Sequence, residues 1–256
     1  KARNRKRNIR KALLDDFSES RINKVINSLH TRYLMSYRSR EIIPHLRLAL
    51  NRGRKTLAMQ IHHNREGEYT ELTLATIDSP GLFSQIAGVM AAHSINILGA
   101  QIHTRKTGAV LDILQVNSPI GGIVEKAEKW QRVEADLCEV LEGRIFVEEL
   151  FNKFHEPDYL KLATRQHPQR GNQVEIDNTV SDRYTVIDIF ATDKVGLLYA
   201  ITKTLNELGL YIAVSKISTK VDQVADVFYV CDIFSQKITD PEKLEEIRAA
   251  LLGKLS

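Results

Sequence analysis

The sequence predicts an α+β fold: two copies of one module, each strand–strand–helix–strand–strand–helix with an antiparallel sheet, preceded by a helical segment. Three observations predict it. A shift of 115 residues lays Tyr69–Thr104 on Tyr184–Thr219 without a gap. Within each copy the apolar spacing changes from two residues to helical and back to two. Turn-forming residues stand at each change.

The repeat has nine identities in 36 positions: Tyr69/Tyr184, Thr70/Thr185, Asp78/Asp193, Gly81/Gly196, Leu82/Leu197, Ile86/Ile201, Ile97/Ile212, Ile102/Ile217 and Thr104/Thr219. After a one-residue slip, Val110-Leu111-Asp112-Ile113 faces Val224-Ala225-Asp226-Val227. Tyr69–Ile77 and Tyr184–Thr192 alternate apolar and polar residues, the pattern of a half-buried strand. Asp78-Ser79-Pro80-Gly81 and Asp193-Lys194-Val195-Gly196 then break the strand. Leu82, Phe83, Ile86, Val89 and Met90 take up helical spacing, as do Leu197, Leu198, Ile201, Leu205 and Leu208. Gly209 stands where that second helix would stop, because glycine fills the left-handed position without a Cβ penalty.

Two strands follow in each copy, over 95–104 and 109–116 and over 210–219 and 224–233. Trp130, Val133, Leu137, Val140 and Leu141 line one face of a helix closing the first copy. Asp240-Pro241 opens the matching helix of the second, with Leu244, Ile247, Leu251 and Leu252 inward; Asp suits the N-cap and Pro the first helical position. Met59-Gln60-Ile61-His62 and Val174-Glu175-Ile176-Asp177 add a leading strand to each copy, in place of a trailing fourth one. The result is a ferredoxin-like sandwich with two helices on one face of the sheet.

Ahead of the repeat, Ile22, Val25, Ile26, Leu29 and Tyr33 form a helical stripe expected to cover a neighbouring core, here that of a further domain outside this sequence. Glu148–Val180, with Pro157, Pro168 and Gly171, has the composition of a linker, whose Phe151, Phe154, Tyr159 and Leu162 are expected to pack on the repeats. Seven of the 36 Lys and Arg residues fall in the first eleven positions, leaving 29 against 32 acidic residues elsewhere. The pI near 9.0 therefore belongs to one short segment, which reads as a solvated helix surface before it reads as a nucleic-acid arm. No apolar run approaches the roughly 18 residues that a membrane span requires. Cys138 and Cys231 lack partners at metal-ligand spacing and are expected in the core of a protein kept in a reducing cytoplasm. The chain opens on Lys1, which fits a piece of something longer.

Asp78-Ser79-Pro80-Gly81-Leu82 followed by Ile95-Asn96-Ile97 resembles the ACT domain, a small amino-acid-sensing module. Asp193-Lys194-Val195-Gly196-Leu197 followed by Leu210-Tyr211-Ile212 is similar, with Tyr211 replacing the family's Asn and Val195 standing opposite Pro80. The tandem pair, with Asp182-Arg183-Tyr184-Thr185 leading into the second copy and Arg32-Tyr33-Leu34 to Pro44-His45 ahead of the first, resembles the C-terminal region of the bifunctional uridylyltransferase/uridylyl-removing enzymes. The likeness runs from about residue 17 to the end. It implies a helical segment at 1–54 (the tail of, or link from, an HD catalytic domain), ACT modules at 55–150 and 172–256, and a linker at 151–171. It also implies glutamine as ligand, the PII nitrogen-signalling protein and the catalytic domains as partners, and magnesium for the parent enzyme, with no cofactor in this chain. Neither a Gly-Ser with an Asp-x-Asp pair nor a His…His-Asp…Asp set is present, so no catalytic centre is expected here.

The chemistry of the turn fits an amino acid. Unpaired N–H groups at a helix N-terminus bind a carboxylate with no charged side chain. Gly81 and Gly196 remove the Cβ that would hold the ligand away. Asp78 and Asp193 either accept from the ammonium or cap the helix. The candidate ligand-binding residues are Asp78, Ser79, Pro80, Gly81, Leu82, Asn96 and Ile97 in the first copy and Asp193, Lys194, Gly196, Leu197 and Tyr211 in the second, the first being the stronger candidate. No metal site is expected: His62 and His63 point to opposite faces of a strand, and His93 and His103 stand apart as surface or satisfied positions. Two other readings remain, a ligand-free interaction scaffold and nucleic-acid binding through residues 1–11. A free-standing enzyme lacks any nucleophile, base or metal constellation.

Overall fold

The computed structural model describes residues 2–29, 31–104, 108–153, 171–192, 194, 196–217, 219–220 and 223–255. Four helices come first: α1 (Ala2–Leu13), α2 (Glu19–Ser28), α3 (Thr31–Ser36) and α4 (Ser39–Arg52). The first copy follows as β1 (Ala58–Asn64), β2 (Tyr69–Ile77), α5 (Leu82–Ala92), β3 (Asn96–Thr104), β4 (Ala109–Asn117) and α6 (Ala127–Leu141). A short helix, α7 (Val147–Lys153), comes next. The second copy is β5 (Gln173–Asp177), β6 (Thr185–Thr192), α8 (Leu197–Glu207), β7 (Tyr211–Lys216), β8 (Thr219–Lys220), β9 (Gln223–Cys231) and α9 (Pro241–Leu255).

The strands lie in the order β1-β2-β4-β3-β7-β9-β6-β5, with β8 on β9. Each leading strand takes the edge beside its copy's next strand, as the sequence predicts. In the second copy β5–β6, β6–β9 and β7–β9 are all antiparallel. The predicted strand 224–233 stops at Cys231, because the Asp232 carboxylate accepts from the Phe234 and Gln236 N–H groups and turns the chain. Asp240 caps α9 as expected, accepting from the Glu242 N–H at 3.1 Å. Ile247, Leu251 and Leu255 are buried and Leu244 and Leu252 half-buried.

Both middle helices end in the same cap. After α8, Gly209 has φ +76° and Leu210 N–H reaches back to the Leu205 carbonyl at 2.9 Å. After α5 the same bond joins Ile95 N–H to the Met90 carbonyl, with Ser94 at φ +51° in the place of the glycine. The Schellman geometry is thus kept although the sequence signal is present in one copy only.

Two compact units divide the chain, and the division cuts across the first copy. One holds residues 1–62, 72–78 and 102–113; the other holds 63–71, 79–101 and 114–256. In the first unit Ile9, Leu13, Ile22, Ile26, Leu34, Ile42 and Leu46 share one apolar core with Ala75, Leu111 and Ile113 of β2 and β4. The Ile22–Tyr33 stripe is split between α2 and α3, and this core covers it. Tyr33, Tyr37, His45 and His103 stack at ring separations of 4.8–6.3 Å, and the Tyr33 hydroxyl meets His45 Nδ1 at 3.0 Å. Burial pushes His45 down to about 4, against the opposing pull of Glu41. In the second unit α5 packs against α6, α7 and α8, and α8 against α9. Cys231 is buried, but Cys138 is only half-buried on α6. Among the described residues no helix is long and apolar enough to cross a membrane.

Candidate functional site

The first turn forms where β2 ends. Asp78 N–H donates to the Gly108 carbonyl at 2.8 Å, tying the turn to the start of β4. Ser79 and Pro80 are exposed, and Leu82 N–H closes back on the Ser79 carbonyl at 3.1 Å. Gly81 is the N-cap of α5 at φ +75°, a conformation that costs a side-chain-bearing residue energy and glycine little. Its carbonyl accepts from Gln85 N–H at 2.9 Å and from the Ser84 hydroxyl at 2.8 Å. Among the described residues, no acceptor is found for the N–H groups of Phe83 and Ser84. These are the first-turn donors that a helix leaves for an anion. Asp78 is not the helix cap, because Gly81 holds that position three residues later.

The described residues of the second turn repeat the backbone of the first. Gly196 is the N-cap of α8 at φ +77°, Leu197 N–H donates to the Lys194 carbonyl at 3.0 Å, and Ala200 N–H to Gly196 at 2.9 Å. Lys194 is exposed and Leu197 buried. Asp193 and Val195 lie outside the described residues, as do Phe154, Tyr159 and Leu162 of the linker.

The two copies meet about a local twofold. Ala100 of β3 pairs with Ser215 of β7, which is its own repeat equivalent, and Gln101 pairs with Val214. A strand that pairs antiparallel with its own copy, centred on equivalent residues, places the two helices side by side. Accordingly a Cβ on Gly81 would lie 3.1 Å from the Asn206 side-chain nitrogen in the last turn of α8. A Cβ on Gly88, halfway along α5, would collide with Val147 of α7 and come within 2.9 Å of the Tyr199 ring. Gly88 is a glycine by necessity of this approach, a role invisible in the sequence because its repeat equivalent is Lys203.

The resemblance implies a ligand between a turn and the neighbouring module's strand, with Asn96 or Tyr211 nearby, and the geometry sets Asn96 apart from the turn of its own copy. Asn96 is exposed at the start of β3, beyond the far end of α5, about 16 Å along the helix from Gly81. Ile97, next to it, is buried. Tyr211, 43% exposed, begins β7 five residues after Asn206, at the Gly81 end of the paired helices. Asn206 itself escaped the sequence reading, since its equivalent is Ala91 and the repeat gives it no emphasis.

A second unusual group lies in the other unit. Asp112 of β4 is fully buried, and the backbone N–H of His103 lies near its carboxylate without ordinary hydrogen-bond geometry. Burial pushes its carboxyl up to about 8, the backbone N–H of His103 pulls it down, and the Asp78 charge adds to the rise. It is therefore largely protonated at neutral pH, which is how a lone buried carboxyl avoids an unpaired charge. Asp226, its equivalent on β9, is buried as well. Of the described histidines, His93 Nε2 meets Asp136 at 2.7 Å and His63 Nδ1 meets Thr70 Oγ1 at 3.0 Å. Among the described residues no group of three or more His, Cys, Asp or Glu could hold a metal ion.

Comparison with known proteins finds a family match in the second copy. Residues 173–256 match the family model of the ACR9-like, ACT-like domain. A bifunctional uridylyltransferase/uridylyl-removing enzyme from Rhodospirillum rubrum is 35% identical over 243 residues, covering 94% of this chain and 26% of that protein. Relatives with the same name from Gluconobacter oxydans and Azospirillum brasilense are 33% and 32% identical over 93% and 95% of the chain. The chain spans about a quarter of the length of these curated relatives. A solved structure from Galdieria sulphuraria, titled an unknown protein, overlays at a TM-score of 0.23 with 12% identity, too low to speak to the fold. Over nearly its whole length, then, this chain is a relative of one quarter of the bifunctional uridylyltransferase/uridylyl-removing enzymes, and it contains an ACT-like domain at 173–256.

Proposed function

We propose that the chain is an amino-acid-sensing regulatory region made of two paired ACT modules, at 55–150 and 172–256, joined by a linker at 151–171. Its ligand is glutamine, and the larger enzyme it serves attaches and removes uridylyl groups on the PII signalling protein in the cytoplasm. Magnesium serves that enzyme's catalytic domains and not this region. The observation that carries the reading is the Gly81 turn: a left-handed glycine, two N–H groups without an acceptor among the described residues, and the Asn206 carboxamide beside them. The N–H groups suit the ligand carboxylate, and Asn206 or Tyr211 a side-chain amide. A ligand that prefers one arrangement of the modules shifts the populations of the whole protein.

Calorimetric titration with glutamine, using glutamate and serine as controls, tests this. Selective glutamine binding that disappears in Gly81→Val is the expected result. A folded protein that binds none of the three amino acids contradicts it.

A further inference from the structure

The two copies treat one face of the sheet differently. In the first, Ala75, Leu111 and Ile113 are at most 4% exposed, because they share one core with α1–α4. Their repeat equivalents in the second copy are Phe190, Ala225 and Val227. Phe190 is 40% exposed, and Ala225 and Val227 are half-buried. The opposite side of the same two strands, with Ile187, Ile189 and Phe228, is completely buried. The second copy thus keeps its inner face closed and leaves its outer face open.

The strand registers lay out that outer face. Val227 of β9 stands between Asp188 of β6 and Lys216 of β7, and Asp188 stands opposite Glu175 of β5. Phe190 lies one pair along from Asp188, and Tyr229 one pair along from Val227 on the other side, with the Lys216 ammonium 5.6 Å from its ring. An antiparallel sheet that faces water alternates polar residues outside with apolar ones inside. Here the outward positions of β9 are Ala225, Val227 and Tyr229, with Phe190 beside them. An open apolar surface rimmed by charge marks a place of interaction.

The rim is not neutral. Glu175 and Asp188 are like charges directly opposite one another, an arrangement that destabilises a sheet. Among the described residues neither carboxylate has a basic partner. Burial, with Glu175 and Asp177 adding to it, raises the Asp188 carboxyl above its ordinary value. A cation supplied from outside would relieve that repulsion.

Two observations therefore define the occupant: helices cover the equivalent face of the first copy, and this one carries an unmatched pair of carboxylates. We propose that the outer face of β5, β6 and β9 docks an amphipathic helix of a partner protein, whose apolar side covers Phe190, Val227 and Tyr229 and whose Lys or Arg pairs with Glu175 and Asp188. The apolar contact gives area, and the charge decides which helix is accepted.

The probe is a synthetic helical peptide with leucines along one side bordered by lysines, added to the 256-residue chain, and a twin with glutamates in place of the lysines. Fluorescence anisotropy should show the lysine peptide binding at least tenfold more tightly than the glutamate peptide. Phe190→Ser should weaken the lysine peptide at least tenfold; the side chain is exposed, so the variant is expected to fold, and circular dichroism checks this. Glu175→Lys combined with Asp188→Lys should reverse the preference between the two peptides, which damage to the fold would not do. No binding of either peptide, equal binding of both, or binding unchanged in Phe190→Ser overturns the proposal. A chain that sediments as a dimer and becomes a monomer in Phe190→Ser overturns it too, because the face then belongs to a second copy. Glutamine binding enters none of these outcomes, so they leave the sensor reading untouched.

Discussion

The Gly81 and Gly196 turns have the same φ, the same helix-closing hydrogen bonds and the same sequence of strand, turn and helix. One faces an amide and the other an aromatic ring of its own chain. The difference teaches that a duplicated module does not duplicate a site. Each turn is completed by residues from elsewhere, and those residues have diverged: Asn206 against Ala91, and Gly88 against Lys203. The glycine lets α7 approach α5, and the lysine gives α7 an ionic anchor on α8.

That asymmetry can be broken most forcefully at Gly88. Gly88→Val drives a side chain into Val147 and Tyr199, and should cost about 3 kcal/mol, the upper range of overpacking effects, measured by urea denaturation. The equivalent change on the other helix, Lys203→Ala, removes only a part-exposed ion pair and should cost under about 1 kcal/mol. Similar costs for the two would mean that α7 is not seated in the way described.

The second contrast is between two buried ionisable groups of the first unit. Asp112 keeps its proton to about pH 8 in the fold, whereas an exposed aspartate loses it near 3.8. The folded state then binds more protons across that window, so stability falls as pH rises, by roughly 1.4 kcal/mol per pH unit from this group. His45 acts oppositely: it stays neutral down to about 4, so its contribution is present above 6.5 and is lost as pH falls toward 4. The two slopes oppose one another below 6.5, and between 6.5 and 8 Asp112 acts alone. Thermal unfolding should therefore show stability declining over pH 6.5–8, and Asp112→Asn should abolish that decline. A variant that keeps the decline would place its origin elsewhere.

A smaller effect separates the glycines themselves. Each sits at positive φ, so Gly81→Ala and Gly196→Ala should both cost about 1 kcal/mol. Gly81→Ala should cost slightly more, because its Cβ meets Asn206 at 3.1 Å and that on Gly196 meets Phe151 at 3.6 Å. Equal binding of glutamine after either change would erase the distinction between the turns.

Much of this was legible in the residues. The alternation of Tyr69–Ile77 coincides with β2 residue for residue, and Asp240-Pro241 opens its helix as capping chemistry requires. The repeat supplied the rest of the module order, since a pattern seen twice constrains both copies. What was hidden depends on pairing. Whether Tyr211 or Asn96 stands at the Gly81 end follows from the Ala100–Ser215 register, which no local pattern encodes. α7 runs from Val147 into the stretch from Glu148 on that reads as linker, because its apolar face is only two turns long. Asp112 did leave a signal: an aspartate among branched aliphatic residues, repeated at Asp226, marks a buried carboxyl in a strand.

The most direct measurement is amide hydrogen exchange at single-residue resolution, with and without glutamine. The Phe83 and Ser84 N–H groups should slow at least tenfold on saturation, and the equivalent Leu198 and Tyr199 amides should stay unchanged. Glutamine that binds without slowing Phe83 and Ser84, or that slows Leu198 and Tyr199 instead, would contradict a sensor centred on the first turn.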